Sequence, residues 1–189
     1  MLLQFNRHSN LEGLHATFSP SQSSWLRYDD DKAVEVYSNR KASERGTILH
    51  KWAKDTIDLR IKQPRSKQTL YAYVNDAIGF RMNTEVILFY SPYFFGTADA
   101  ISFRNDMLRI HDLKTGKNGK IEDHIDQLEV YAALFCLEYK KKPSDIKIEL
   151  RVYKNDEVLV HIPTADKIVH IMDRIVHLNK LLERIDEEV

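Results

Sequence analysis

A single cysteine, Cys136, stands among 189 residues. The chain can build no internal disulfide framework and no thiolate cluster for zinc or iron–sulfur. Surplus charge is missing as well, since 28 Lys and Arg balance 28 Asp and Glu for a formal net charge of zero. Without a basic surplus there is no global electrostatic footprint for nucleic acid, so any such contact must come from local groups. Apolar runs are far shorter than the roughly 20 residues of a bilayer-spanning helix. The N-terminus lacks the basic region and apolar core of a secretory signal. These absences lead to the expectation of a cytoplasmic protein with no membrane partner. With 43% apolar and 30% charged residues, the composition suits one soluble domain over 1–189 with a sizeable core.

Residues 1–18 show no periodicity and read as an N-terminal arm. Ser19-Pro20-Ser21-Gln22 then has the residues of a helix start, with a capping hydroxyl, proline at the first helical position and Gln at the third. Apolar residues recur at helical spacing from about Ser43 to Ile61, and His50 falls at the edge of that stripe. Residues 70–81 read as a short helix or irregular segment. Thr84 to Tyr90 reads as a strand opened by Glu85, and a helix over about 121–139 puts Gln127 and Tyr131 on one face. Two further strands follow near 146–152 and 157–162. Thr164 caps a final helix over 164–187, whose apolar stripe suits packing against the sheet or, alternatively, a protein partner or a second copy. Basic groups gather at Arg60, Lys62, Arg65 and Lys67, and again at Lys114, Lys117 and Lys120.

Between Gly96 and Lys117 lies GTADAISFRNDMLRIHDLKTGK. Asn105 and Asp106 tolerate positive φ and are flanked by alternating runs, the signature of a hairpin with a two-residue loop. That loop makes paired positions sum to 211, so Ile101 faces Ile110 and Asp99 faces Asp112. Ile101, Phe103, Leu108 and Ile110 then share one face with Asp99, Asp112 and Lys114. Opposed carboxylates repel unless something neutralises them, and a divalent cation would do so.

Asp99, preceded by Gly96-Thr97-Ala98, and Asp112-Leu113-Lys114 inside HDLKTGK resemble the PD-(D/E)XK nuclease superfamily. The DLKTGK run is similar to the RecB-type exonuclease branch in particular. His50 in RGTILH and the Gln127 to Tyr131 spacing complete that branch's order of motifs, and the resemblance spans roughly Ser19 to Tyr153. It implies an α/β fold with a restriction-endonuclease-like core, a central mixed β-sheet flanked by helices. Some members carry an iron–sulfur cluster on four cysteines. Here the corresponding stretch reads Trp25-Leu-Arg-Tyr-Asp-Asp-Asp, so that cluster is excluded.

By the same resemblance, Asp99, Asp112, His50 and the Leu113 carbonyl hold Mg²⁺ or Mn²⁺, with Glu85 as a further candidate ligand. Magnesium needs only one or two carboxylates because it keeps several waters, while a histidine tilts the preference toward manganese. Lys114 orients the attacking water, Gln127 and Tyr131 contact the substrate backbone or metal waters, and Arg45, Lys117 and Lys120 meet DNA. The implied activity is a DNA exonuclease leaving 5′-phosphates in recombination, repair or replication, on single- or double-stranded DNA. A structure-specific endonuclease on the same core and a non-cleaving binding module are the alternatives.

Overall fold

The computed structural model of the chain describes residues 16–116 and 118–188, and the structural statements below concern these. The chain divides into two compact units, Met1–Arg45 and Gly46–Val189.

In the first unit Pro20–Arg27 forms a 3-10 helix, and Ser19 makes no side-chain cap bond to it. Its hydroxyl meets that of Ser21 at 2.9 Å instead, so the expected capping arrangement does not form. Helix α1, Asp30–Asp58, starts here rather than near Ser43. The Asp29 carboxylate caps it by accepting from the Lys32 amide at 2.8 Å, and Asp30 and Asp31 suit the positive end of its dipole. Lys32–Glu35 and Lys41–Glu44 pairs support the solvated first half. No residue from 16 to 45 is buried, which is why apolar periodicity could not announce this part of the helix.

The second unit is a five-stranded mixed sheet flanked by helices. Its strands are β1 (Asn83–Ser91), β2 (Phe94–Arg104), β3 (Met107–Lys114), β4 (Lys147–Lys154) and β5 (Glu157–His161), in spatial order β1-β2-β3-β4-β5. Neighbours are antiparallel except β3 and β4, which run parallel. The parallel pair requires a crossover, and α3 (Ile125–Glu138) supplies it. Asn105-Asp106 and Asn155-Asp156 both take positive φ, as two-residue loops matched to strand twist demand. The first of these loops sets Ile101 opposite Ile110 and Phe103 opposite Leu108, as their spacing predicts.

Two apolar layers cover the sheet. Leu128 and Ala132 of α3 pack with Leu108, Ile110, Leu150 and Val152 on one face. Helix α2 (Thr69–Gly79) and the end of α1 cover the other, where Tyr73, Val74, Ala77 and Ile57 meet Ala100, Leu113 and Tyr153. Each wholly buried leucine contributes about 1.5–3 kcal/mol. Helix α4 (Ala165–Glu187) is capped by Thr164, whose hydroxyl accepts from the Lys167 amide. It packs mainly on α3, with Ile168 and Ile175 buried and the stripe exposed by Ile185. Among the described residues no helix is long and apolar enough to cross a membrane.

The alternation of β2 breaks once. Ala98 belongs to the α3-side layer, yet Ala100 belongs to the α2-side layer and Ile101 again to the α3 side. On the neighbouring strand Thr84 pairs with Ala100 and Val86 with Ala98, so Glu85 lies opposite Asp99, with φ of 53°. The two strands are thus kinked together at the Glu85–Asp99 position without a change of register, whereas their register shifts farther along, between Phe89 and Ser91.

Candidate active site

Strand β2 leaves β3 where the kink begins. Their pairing stops at Ala100–His111, while β3 continues beside β4 to Lys114–Lys154. Residues Asp112, Leu113 and Lys114 therefore have one strand edge without a neighbouring strand. The Asp99 carboxylate fills part of that gap, its Oδ2 accepting from the Leu113 amide at 3.0 Å. The Leu113 carbonyl leaves the strand on the same edge as that amide.

The expectation that Asp99 and Asp112 share one apolar face is corrected here. Asp112 and Lys114 lie on the α3 side, where Lys114 Nζ meets Gln127 of α3. Asp99, displaced by the kink, is approached from α1 by His50, whose Nδ1 is 3.5 Å from Asp99 Oδ2. The carboxylates lie at the opening between diverging strands rather than side by side on one surface, near enough for the Asp112 charge to act on Asp99. Period-two alternation cannot foresee this, because the kink inverts it at Asp99 itself.

Lys114 Nζ is 3.1 Å from both Asp112 oxygens but is aligned to hydrogen-bond Oδ1. It also donates to Gln127 Oε1 at 2.9 Å, leaving one of its three N–H groups for another acceptor. The Gln127 amide nitrogen reaches Asp112 Oδ1 at 3.4 Å and the Tyr131 hydroxyl at 3.3 Å. Asp112 is only 3% exposed, and its Oδ2 is buried with no hydrogen-bond donor. Burial pushes the Asp99 carboxyl up to about 6, the Asp112 charge adds to the rise, and the Leu113 amide, His50 and Lys114 oppose it.

Two glycines let the helices approach. A Cβ on Gly46 of α1 would lie 2.8 Å from Thr115 Oγ1, and one on Gly96 of β2 would lie 2.9 Å from Tyr131 Cε1. Three further groups join the cluster without a local signal in the sequence. Tyr73 of α2 is buried and its hydroxyl is pushed well up, first by burial and then by Asp99 and Asp112. Lys154, 2% exposed at the end of β4, lies 3.2 Å from His124 Nε2. Burial and then the charges of Lys114 and Lys154 lower the His124 value.

The remaining predicted residues are placed less centrally. Glu85 is exposed at the kink opposite Asp99. Lys120 is exposed, its amide bonded to Asp123 at 2.8 Å ahead of α3. Arg45 is exposed at the end of the first unit. Lys117 lies outside the described residues.

Among the described residues no group of three or more His, Cys, Asp or Glu side chains is arranged to hold a metal ion. The oxygens on hand are those of the Asp99 and Asp112 carboxylates, one Asp112 oxygen being buried without a hydrogen-bond donor, and the strand edge at Leu113 whose amide Asp99 accepts from. That set fits a hard cation that takes few protein oxygens and retains its waters. Compared with family models, curated proteins and solved structures, the chain has no match in any of the three.

Proposed function

We propose that this chain is a divalent-metal-dependent deoxyribonuclease of the PD-(D/E)XK superfamily, on the RecB-type exonuclease branch. One observation carries the reading: Asp112 presents a buried oxygen without a donor beside a second carboxylate that is hard to ionise. Two acids so placed cost stability unless a cation joins them. Asp99, Asp112 and the Leu113 carbonyl would hold Mg²⁺ or Mn²⁺, with His50 beside them. The bound ion supplies Lewis-acid polarisation of a phosphate and a lowered pKa for coordinated water.

The chain's own groups do the positioning. Asp112 and Gln127 fix the Lys114 ammonium from two directions, so its remaining N–H is held ready for a water or phosphate oxygen. A preorganised cation of this kind stabilises the negative charge that develops during in-line displacement. Tyr131 braces Gln127, and α1 brings His50 to Asp99. Lys120, with Arg45 and Lys117 as further basic candidates, would meet substrate phosphates. The reaction is hydrolysis of phosphodiester bonds to leave 5′-phosphates, in cytoplasmic DNA recombination, repair or replication.

The test is digestion of 5′- and 3′-labelled linear DNA and of closed circular DNA with Mg²⁺, with Mn²⁺ and with chelator. Linear DNA should be degraded only with metal, while closed circles stay intact. Lys114→Ala and Asp112→Ala should abolish cleavage while the melting temperature is retained. Cleavage that persists in chelator, or in either variant, would overturn the proposal. Nicking of the circle assigns an endonuclease on the same core.

A further inference from the structure

The loop between α1 and α2, residues 59–68, gathers charge of one sign in a chain that elsewhere balances it. Arg60, Lys62, Arg65 and Lys67 are all exposed, and no acid occurs between Asp58 and Asp76. In α1, by contrast, five of the six cations meet an acid about one turn away: Lys32, Arg40, Lys41, Lys51 and Lys54. Among the described residues the four loop cations meet no acid at ion-pair distance. The acids that bracket them are engaged elsewhere, Asp58 with Lys54 and Thr84, and Asp76 with Arg151 and Tyr153. Like charges this close in sequence repel within a screening length of about 8 Å, and an external polyanion would relieve them.

The backbone that carries these cations is fixed. Arg60 ends α1 with φ of 55°, its amide donating to the Ile57 carbonyl at 2.9 Å and the Ile61 amide to Thr56 at 3.0 Å. The Asn75 side chain of α2 holds Gln63 by both backbone groups, accepting from its amide at 2.8 Å and donating to its carbonyl at 3.0 Å. At the far end the Thr69 amide donates to the Asp156 carboxylate at 3.4 Å. Asp156 follows Lys154, whose strand neighbour is Lys114, so the loop finishes at the same end of the sheet as the site. Traced through these contacts, Lys67 and Lys114 are no more than about 25 Å apart, about seven phosphate steps of a duplex strand.

We propose that this loop is a phosphate-backbone contact that holds DNA beside the catalytic opening and takes no part in cleavage. The inference rests on the nuclease reading above for the identity of the polyanion, and adds a binding surface outside that site. A chain of zero net charge cannot draw DNA by its overall field, so affinity must come from a local patch whose cations are not already paired. Two arginines can each grip a phosphate with two donors, and two lysines act as point charges beside them. The residues between them, Ile61, Gln63, Pro64 and Ser66, bring no negative charge to oppose the contact. Contacts of this kind position the strand and do not read its sequence.

The test is equilibrium binding of the full chain, in chelator, to a short labelled blunt duplex over a series of salt concentrations. In Lys62→Ser/Arg65→Ser/Lys67→Ser the slope of log affinity against log salt should be shallower by about 2.7, or about 0.9 for each cation removed. Affinity at physiological salt should fall by about tenfold or more, and equally on unrelated sequences. Lys62→Arg/Lys67→Arg keeps the charge and should keep the native slope. Lys140→Ser/Lys141→Ser/Lys142→Ser removes the same net charge just beyond α3 and should also keep it. Arg65→Ser alone, shallower by about 0.9, gives the same answer if the triple loop variant does not fold. A native slope in the loop variants would overturn the contact. So would an equal loss in the 140–142 variant, which would make the effect one of net charge. Metal-dependent cleavage with a native slope in the loop variants would remove the loop contact and leave the nuclease. A lost slope in a chain that cleaves with no metal would remove the nuclease reading and leave the loop contact standing.

Discussion

His111 and Asp112 are consecutive on β3, yet they serve polar clusters on opposite faces of the sheet. On the α2 side Tyr153 donates to Asp76 at 2.7 Å, and Arg151 reaches Asp76 and Glu149 at 3.0 Å each. Arg109 also meets Glu149, and both guanidinium groups lie over the Phe80 ring. Burial, then Arg151 and Arg109, lower His111 to about 3, so it is neutral. Since the Tyr153 proton goes to Asp76, His111 Nδ1–H donates to the Tyr153 oxygen at 3.2 Å, and only the Nε2 lone pair lacks a partner. Every carboxylate there meets a guanidinium. On the other side Asp112 is paired with Lys114 but has one oxygen without a hydrogen-bond donor, and Asp99 has an amide and a nearby imidazole. The first cluster is electrostatically closed and serves the fold. In the second, Asp99 meets no lysine or guanidinium at ion-pair distance among the described residues.

The sharpest way to break this contrast is to remove one acid from each side. Asp112→Asn should lower metal-dependent cleavage by roughly 10²–10³-fold or more while the protein stays folded, as initial rates and thermal melts would show. Asp76→Asn should leave cleavage at the native rate and cost about 1–3 kcal/mol in denaturant unfolding, because Arg151 and Tyr153 lose their shared acceptor.

A second contrast concerns sign. The Asp99 carboxyl titrates about two pH units above its ordinary value when folded, so the metal-free protein keeps the associated stability below about pH 4. It loses that stability as pH rises through about 6, and the curve is flat above. Asp99→Asn should therefore stabilise the metal-free protein at pH 8, by up to about 3 kcal/mol, and erase this slope in unfolding titrations. Tyr153→Phe in the closed cluster should destabilise by about 1 kcal/mol. A thermal upshift by Mn²⁺ should appear above about pH 6 and vanish below it, where Asp99 is protonated.

The smallest expected effect tests how α3 is seated. Gly96→Ala places a methyl 2.9 Å from Tyr131 Cε1 and should displace the ring, at a cost of about 1 kcal/mol or more. If it acts only through Tyr131, the Gly96→Ala/Tyr131→Ala pair should cleave no more slowly than Tyr131→Ala alone.

Much of the sheet could be read in advance because its instructions are local. Asn105-Asp106 demanded a two-residue loop, and the register from Arg104–Met107 to Ala100–His111 follows from it. The i, i+4 spacing of Gln127 and Tyr131 put them on one helix face, and the structure has them 3.3 Å apart. Helix α1 was only half visible, since its first half buries nothing and leaves no apolar period.

The residues themselves determined the hairpin, the helix faces and the set of acids, amine, imidazole and amide able to meet. Turn geometry and side-chain periodicity act over a few residues and require no partner. Only the tertiary structure decided how that set converges. The kink at Glu85 and Asp99, the parting of β2 from β3, and the close approaches at Gly46 and Gly96 all arise from packing between segments distant in the chain. Long-range packing of that sort leaves no periodic trace, which is why the displacement of Asp99 and the arrival of Tyr73 and Lys154 could be seen only in the folded molecule.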